Sequence, residues 1–370
     1  MRIADITFHG AHNYGSILQA YALQTSVQNL CAERQVKCDY RIINFRSLFQ
    51  KEMYGELPPS TPKNMIKRMM ELLHHRAILE QRKKFEVFLS TQLRLTEEVN
   101  QEEQLLQFRD SFDVFISGSD QIWNIRAADF SYAYLCEFTK KKKISYAASL
   151  GPLDIDWSKY DKERFLRALR QYSNISVRES RSKRMVDQLL EDEDSQIHVD
   201  PTLLLSVDEW RRIQSDYNYR NGEYILFYCL EPDQNQLRIA DQFSKKLKLP
   251  VVITGYRNKK DYFNHFVKCY DAGPLDFLSL MDHAAFVVTA SFHGTAFSII
   301  YNKPFCAING LNDNRISNLL KIVGLENCAV DETTDIVGFT PSKQEDAMVA
   351  AYLSHERERS KNYLLSALEL

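Results

Sequence analysis

Three observations predict an α/β protein built on parallel sheets. Strand-like and helix-like runs alternate from one end of the chain to the other. Several of the strand-like runs are apolar throughout, as strands covered on both faces are. The 370 residues exceed what one hydrophobic core organises, so two domains are expected.

Ile3–Phe8 reads as the first strand and not as a signal peptide, because an acid sits inside a short apolar run. A helix follows over Ser16–Leu30, with Ser16 as its expected N-cap. Tyr40–Phe45 is the next strand, then a long helical region over Pro62–Phe88 and a shorter one over Glu102–Phe108. Strands are read at Asp113–Ser117 and Lys143–Ala148, a helix at Lys159–Tyr172, and a strand at Asn174–Arg178. Helix Arg181–Leu190 and strand Gln196–Val199 close the first half. Asp200-Pro201-Thr202 then breaks the chain, and the polar stretch Asp208–Gly222 precedes a fresh apolar strand, Tyr224–Cys229. The second half continues as helix Gln234–Lys246, strand Pro250–Thr254, helix Pro274–Asp282 and strand Phe286–Thr289. Helix Thr295–Tyr301, strand Pro304–Ile308 and helix Arg315–Val323 complete it. The tail from Gln344 to Leu370 is helical in pattern, with charge at Glu356-Arg357-Glu358-Arg359 and apolar Tyr363, Leu364, Leu365 and Leu368. The expected division is an N-terminal domain over 1–206, a C-terminal domain over 207–343 and a helical tail over 344–370.

Composition narrows the function classes. The chain is 44% apolar and 26% charged with a net charge of −2, which gives no electrostatic footprint for nucleic acid. No stretch approaches the roughly 18 apolar residues of a membrane span. The seven cysteines are scattered and form no Cys-x-x-Cys, so buried thiols in a reducing compartment are expected, without disulfides or a zinc site. Lys63–Phe88 carries seven Lys/Arg against three Glu, with Met65, Met69, Met70, Leu72, Leu73, Ile78 and Leu79 interleaved. It reads as a solvated helix packed on its own domain, or alternatively as one lying on an anionic membrane surface.

Four junctions concentrate chemistry. Ala290-Ser291-Phe292-His293-Gly294-Thr295-Ala296 breaks a strand and opens a helix. That puts a histidine at the carboxyl end of a strand, where open α/β sheets bind ligands. The helix start favours an anion, and histidine suits proton transfer near neutral pH. A capping serine and a satisfied histidine are the purely structural alternative. The first βα turn, His9 to Ser16, is small and polar but is not Gly-x-Gly-x-x-Gly, so no nicotinamide fingerprint is present. Ser117-Gly118-Ser119-Asp120-Gln121-Ile122-Trp123-Asn124 gathers hydroxyl, carboxylate, amide and indole groups suited to a sugar, or else to an Asx-type turn over a core tryptophan. Arg178 stands at a strand end, ready for a carboxylate or phosphate, or for an ion pair with Glu179 or Asp200.

These segments together resemble the polysaccharide pyruvyl transferase family. The matching pieces, in order, are Asn13-Tyr14-Gly15-Ser16 with Leu18 to Gln24, Gly118 to Asn124, Tyr146 to Gly151, Ser176-Val177-Arg178-Glu179, Asp200 to Leu204, and Ser291 to Ala296. The resemblance implies a glycosyltransferase B-like fold, two Rossmann-like domains with the active site in the cleft between them. It implies transfer of a pyruvyl group from phosphoenolpyruvate to sugar hydroxyls, forming a ketal in exopolysaccharide or capsule biosynthesis. His293 and Arg178 match the family's catalytic and donor-site residues. Asn13, Tyr14, Gly15, Ser119, Asp120, Trp123, Asn124, Ser149, Ser291, Gly294, Thr295 and Arg315 are the expected substrate-binding set. No metal and no cofactor are expected, phosphoenolpyruvate being the donor substrate. The expected acceptor is a lipid-linked or nucleotide-linked glycan, met in the cytoplasm, with peripheral membrane contact through 63–88. Some members have Arg-Leu-His-Gly where this chain has Ser291-Phe292-His293-Gly294. Either another cation then serves the donor, Arg315 being favoured over Lys303, or the donor binds more weakly. The alternatives are a glycosyltransferase of the same architecture using a nucleotide sugar, and a non-catalytic sugar-binding module.

Overall fold

The structure is a computed structural model that describes residues 1–53, 69, 72–191, 194–219, 222–230, 232–255, 264–340 and 346–370. The first half is a parallel sheet of β1 (Arg2–Ile6), β2 (Asp39–Ile42), β3 (Val114–Ser117) and β4 (Lys142–Ser145), in the order β2-β1-β3-β4. Two short parallel strands, β5 (Ser176–Val177) and β6 (Gln196–Ile197), extend it past β4 through the bridges Ile144–Asn174 and Ala148–Val177. Its helices are α1 (Tyr14–Glu33), α2 (Leu48–Met53), α3 (His75–Gln92), α4 (Lys162–Leu169) and α5 (Ser180–Leu190). Strands β1 and β3 are almost wholly buried, which explains their lack of polar alternation.

The second half begins with α6 (Val207–Ile213) and then alternates β7 (Ile225–Tyr228), α7 (Gln234–Leu247), β8 (Val251–Ile253) and β9 (Val267–Lys268). After these come α8 (Pro274–His283), β10 (Phe286–Thr289), α9 (Phe292–Ile300), β11 (Phe305–Ile308), α10 (Asn314–Ile322) and β12 (Ala329–Val330). Its parallel sheet runs β12-β11-β10-β7-β8-β9. The chain therefore starts in the middle of the sheet, winds to one edge, and returns to wind to the other, which makes a switch point between β7 and β10. The corresponding switch in the first half lies between β1 and β3. The long α11 (Asp346–Leu368) turns back onto the first half. There the Tyr363 hydroxyl donates to the Ser145 carbonyl at 2.8 Å, and Arg357 Nε donates to the Leu203 carbonyl at 2.7 Å.

The ten strands read from the sequence all form, though several are shorter than expected, and β9 and β12 were too short to show a pattern. Within the polar stretch from Asp208 the structure has a helix instead, α6. Ser206 and Glu209 cap it reciprocally, and one fully buried residue, Trp210, anchors it. The first-turn positions are also corrected. Asn13, not Ser16, caps α1, its Oδ1 accepting from the Gly15 and Ser16 amides. Of the basic region 63–88, residues 63–68, 70 and 71 lie outside the described residues. The part that is described, α3, buries Ile78, Gln81, Phe85, Phe88 and Leu89, and Lys84 bridges to Asp276 of α8 at 2.8 Å. Residues 192 and 193 of the acidic stretch Glu191–Asp194, which the sequence marks as a solvated loop, also lie outside. Among the described residues the seven cysteines form no disulfide, and six of them are buried. Among the described residues no helix is long and apolar enough to cross a membrane.

Candidate active site

The segments that leave β1, β3, β7 and β10 at their carboxyl ends face one another across a cleft of about 310 Å³. Phe8, Ala11, Asn13, Ser16, Asp120, Gln121 and Asp129 line it from the first half. Cys229, Leu230, Gln236, Ser291, Phe292, His293 and Arg315 line it from the second. Asn13 and Ser16 open α1, Gln236 lies in the first turn of α7, Ser291 caps α9, and Arg315 is in the first turn of α10. The amino ends of four helices therefore meet at one cleft, each contributing a partial positive charge there.

His293 is held by a tight turn. The Ser291 amide donates to Thr289 Oγ1 at 3.0 Å, and Thr289 Oγ1 donates to the Tyr228 carbonyl at 2.6 Å. Ser291 Oγ accepts from the Gly294 amide, and Thr295 Oγ1 donates to the Ser291 carbonyl. The helix thus starts at Phe292, which puts His293 in its first turn, 7% exposed. Gly15 of α1 lies flat against the imidazole: a Cβ there would stand 2.1 Å from His293 Nδ1. Nε2 lies 3.5 Å from Asp200 Oδ2 and makes no hydrogen bond among the described residues.

Asp200 organises the floor behind the histidine. Its Oδ2 accepts from Arg178 Nη1 at 2.7 Å and from Ser119 Oγ at 3.2 Å, and its Oδ1 accepts from the amide and hydroxyl of Thr202. Burial works to raise its pKa, but the proximity of His293 and Arg178 and the Thr202 hydrogen bonds outweigh this and hold the carboxyl far below its usual range. The Arg178 guanidinium also faces Glu179 at 3.5 Å and Asp120 at 3.9 Å, and packs 4.3 Å above the Phe292 ring. Burial disfavours its charge, yet Asp200, Glu179 and Asp120 together push its pKa upward.

Two carboxylates line the cleft from the first half. Asp120 is fixed by Ser16 Oγ at 2.7 Å and by the Gln121 amide at 2.9 Å, on a left-handed backbone with φ of 70°. Asp129 accepts from Gln50 Nε2 at 3.4 Å. Burial, helped by the charge of Asp120, raises its pKa. Arg315 grips Asp313 through Nε at 3.0 Å and Nη2 at 2.6 Å. Among the described residues no cluster of His, Cys, Asp and Glu is arranged to hold a metal ion.

A family model for polysaccharide pyruvyl transferase matches residues 13–312, most of the chain. The chain belongs to the polysaccharide pyruvyl transferase family. No curated protein matches it. Among solved structures it is similar to the UDP-GlcNAc 2-epimerase of Methanocaldococcus jannaschii, in complex with UDP-GlcNAc and UDP. The identity is 12% and the TM-score 0.52, with 100% of this chain and 99% of that chain covered. The UDP-GlcNAc 2-epimerase of Neisseria meningitidis bound to UDP-GlcNAc is similar at 10% identity and a TM-score of 0.51, with 100% and 99% covered. These likenesses speak to fold alone, and the fold is glycosyltransferase B-like, with two Rossmann-like units.

Of the positions expected in the site of this pyruvyl transferase family member, Asn13, Asp120, Ser291, His293 and Arg315 line the cleft. Gly15 and Ser119 stand directly behind it, against His293 and Asp200. The others do not line the cleft. Trp123 is fully buried, its indole donating to Ser117 Oγ at 2.9 Å, so it is a core residue. Tyr14 is a bolt between the halves, bonded to Thr254 and the Ala272 carbonyl and stacked on Phe277. Ser149 donates to Glu179, Asn124 donates to Gln121, and Gly294 and Thr295 lie inside the turn that sets His293. Arg178 is 4% exposed and its charge is met by carboxylates, so its fork holds Asp200 rather than facing the cleft. Sequence reasoning left Asp200, Asp129, Gln121 and Gln236 out of the site. For Asp200 a signal existed, since Asp200-Pro201-Thr202 was among the matching pieces. Asp129 sits in an irregular stretch with no pattern to mark it. Lys303 does not line the cleft and interacts with Asp282 and Arg211 instead.

Proposed function

We propose that this family member transfers a pyruvyl group from phosphoenolpyruvate to hydroxyls of a sugar, closing a ketal on a glycan precursor for exopolysaccharide or capsule. The observation that carries this reading is the unbonded Nε2 of His293, nearly buried where four helix amino ends converge. An anionic donor fits those helix ends and Arg315. His293 delivers a proton to the methylene carbon of the enol phosphate, and the resulting oxocarbenium-like centre is attacked by a sugar hydroxyl. Phosphate leaves and a second hydroxyl closes the ring. Arg178 acts as a positioning residue: it fixes Asp200, which lies beside His293. Asn13, Ser16, Gln121 and Gln236 supply the neutral hydrogen-bonding groups a sugar needs. The reading includes a cytoplasmic site of action on a lipid-linked or nucleotide-linked acceptor, with peripheral membrane contact through the basic segment 63–88.

The competing reading is a glycosyl transfer, supported by solved structures of the same fold that hold UDP or UDP-GlcNAc. The purified protein is incubated with an acceptor extract and either phosphoenolpyruvate or a nucleotide sugar. Release of inorganic phosphate with a ketal-linked pyruvate in the product supports the proposal, and His293→Ala should lose both. Release of a nucleoside diphosphate with sugar transfer would replace it, and binding of either donor without turnover would favour a non-catalytic module.

A further inference from the structure

Ketal formation also requires that the attacking hydroxyl lose its proton, while His293 has the opposite task of delivering one. Resting on the pyruvyl-transfer reading above, we propose that Asp129 is the general base that takes the proton from the attacking sugar hydroxyl, with Asp120 as the neighbour that orients the acceptor. Among the described residues the titratable and charged side chains lining the cleft are Asp120, Asp129, His293 and Arg315. His293 and Arg315 belong to the second half, and the two carboxylates face them from the first. Addition across the enol double bond needs this division: a proton arrives at the methylene carbon while oxygen attacks the adjacent carbon.

The two carboxylates are built differently. Asp120 is committed to Ser16, the Gln121 amide and the field of Arg178, and its left-handed backbone is held by that turn. Asp129 receives, among the described residues, one side-chain hydrogen bond, long at 3.4 Å, from Gln50. Gln50 is itself fixed by the Tyr134 hydroxyl at 3.0 Å. Asp129 therefore keeps acceptor capacity for a substrate hydroxyl, whereas that of Asp120 is largely used. Burial and the charge of Asp120 make Asp129 more basic than a free carboxylate, in the direction a base requires.

The protons balance. His293 gives one to the methylene carbon, which becomes a methyl group. The first hydroxyl gives its proton to Asp129 as its oxygen bonds to the central carbon. The carbon–oxygen bond to phosphate then breaks with its electron pair on phosphate, and the second hydroxyl closes the ketal. Of the two hydroxyl protons, one restores His293 and the other departs on hydrogen phosphate, which returns Asp129 to its ionised form.

The test uses radiolabelled phosphoenolpyruvate and an extract of the source strain with the gene deleted, which contains the unmodified acceptor. Initial rates of acid-labile pyruvate incorporation are compared for the wild type, Asp129→Asn and Asp129→Glu, with donor affinity measured by calorimetry to show that the variants fold. The expected result is a rate loss of about 10²–10⁴-fold in Asp129→Asn. Donor affinity should be unchanged, Asp129→Glu should recover part of the rate, and the acidic limb of the pH–rate profile should be missing from the residual activity. An active wild type with Asp129→Asn within a few-fold of it, or with the acidic limb intact, overturns the assignment and leaves the pyruvyl-transfer reading standing. A wild type that incorporates no pyruvate overturns the reading itself, and the base falls with it.

Discussion

Replacing Gly15 with alanine should disable the site while leaving most of the fold unharmed. The added methyl carbon would stand 2.1 Å from His293 Nδ1, 2.3 Å from Cγ and 2.8 Å from Cβ, whereas ordinary contact begins near 3.4 Å. The imidazole must therefore retreat by about 1.3 Å, which changes its 3.5 Å approach to Asp200. A misplacement of about 1 Å in a catalytic group costs on the order of 10²-fold in rate. Gly15 lies in the first turn of α1 without a positive φ, so its backbone accepts alanine, and helix propensity favours the change by up to about 1 kcal/mol. Crowding works against this by about 1–3 kcal/mol, so the net loss of stability should be small beside the loss of rate. Initial rates of phosphate release from phosphoenolpyruvate in the acceptor extract would be read alongside urea unfolding and the histidine ring resonances. Wild-type rates with unshifted His293 resonances would show that the glycine does not set the ring, and the geometry argued for the site would fail.

Other substitutions probe the floor, the donor side and the first sheet. Asp200→Asn should destabilise the protein by about 3–5 kcal/mol, because it leaves the buried Arg178 charge short of its closest partner. Because the folded-state pKa of Asp200 lies below its unfolded value of 3.8, its contribution is present at neutral pH and is lost only as the pH falls below that value. The difference between wild type and variant in urea unfolding should accordingly be large at pH 7 and shrink towards pH 2; a constant difference would contradict the linkage. Arg315→Ala should raise the donor KM several-fold while Lys303→Ala leaves it unchanged, and steady-state kinetics showing the reverse would mean that the donor sits elsewhere. Asp5 is fully buried, and burial, opposed by the Tyr40 hydroxyl, raises its pKa from 3.8 to about 7. Ionising it in the fold is a cost that grows as the pH climbs from about 4 to 7, on the order of 4 kcal/mol in full. Asp5→Asn should gain on wild type in stability over that window, and parallel pH curves would refute it.

The α/β alternation was legible because apolar runs such as Phe286–Thr289 mark strands buried on both faces, and that strand has the bounds expected of it. The turn that presents His293 was legible too, since Ser-Phe-His-Gly after such a run leaves little choice but a cap and a helix start. What could not be read was which polar residue faces the cleft and which faces the core. Trp123 and Asp120 stand three residues apart in one motif, yet the indole is sealed beneath Ser117 and Tyr134 while the carboxylate lines the cleft. Only the packing of the following turn separates them. Arg178 shows the same difficulty: a strand-end arginine suits a ligand or a carboxylate equally, and three acids distant in sequence or adjacent to it decided the matter. Helix α6 was hidden because its one essential apolar contact, Trp210, makes no periodic stripe.

The histidine is carried by one half of the molecule and aimed by the other. Its ring belongs to α9, but Gly15 and Asp200, the two groups that set its tilt and its charged neighbour, come from the first half. Any rocking of the two sheets that widened the cleft by even an ångström would unseat the ring from both at once. On the pyruvyl-transfer proposal, a proton passes from His293 only in the arrangement that both halves hold together, so the contacts of Gly15 and Asp200 with the ring serve the chemistry as well as the fold.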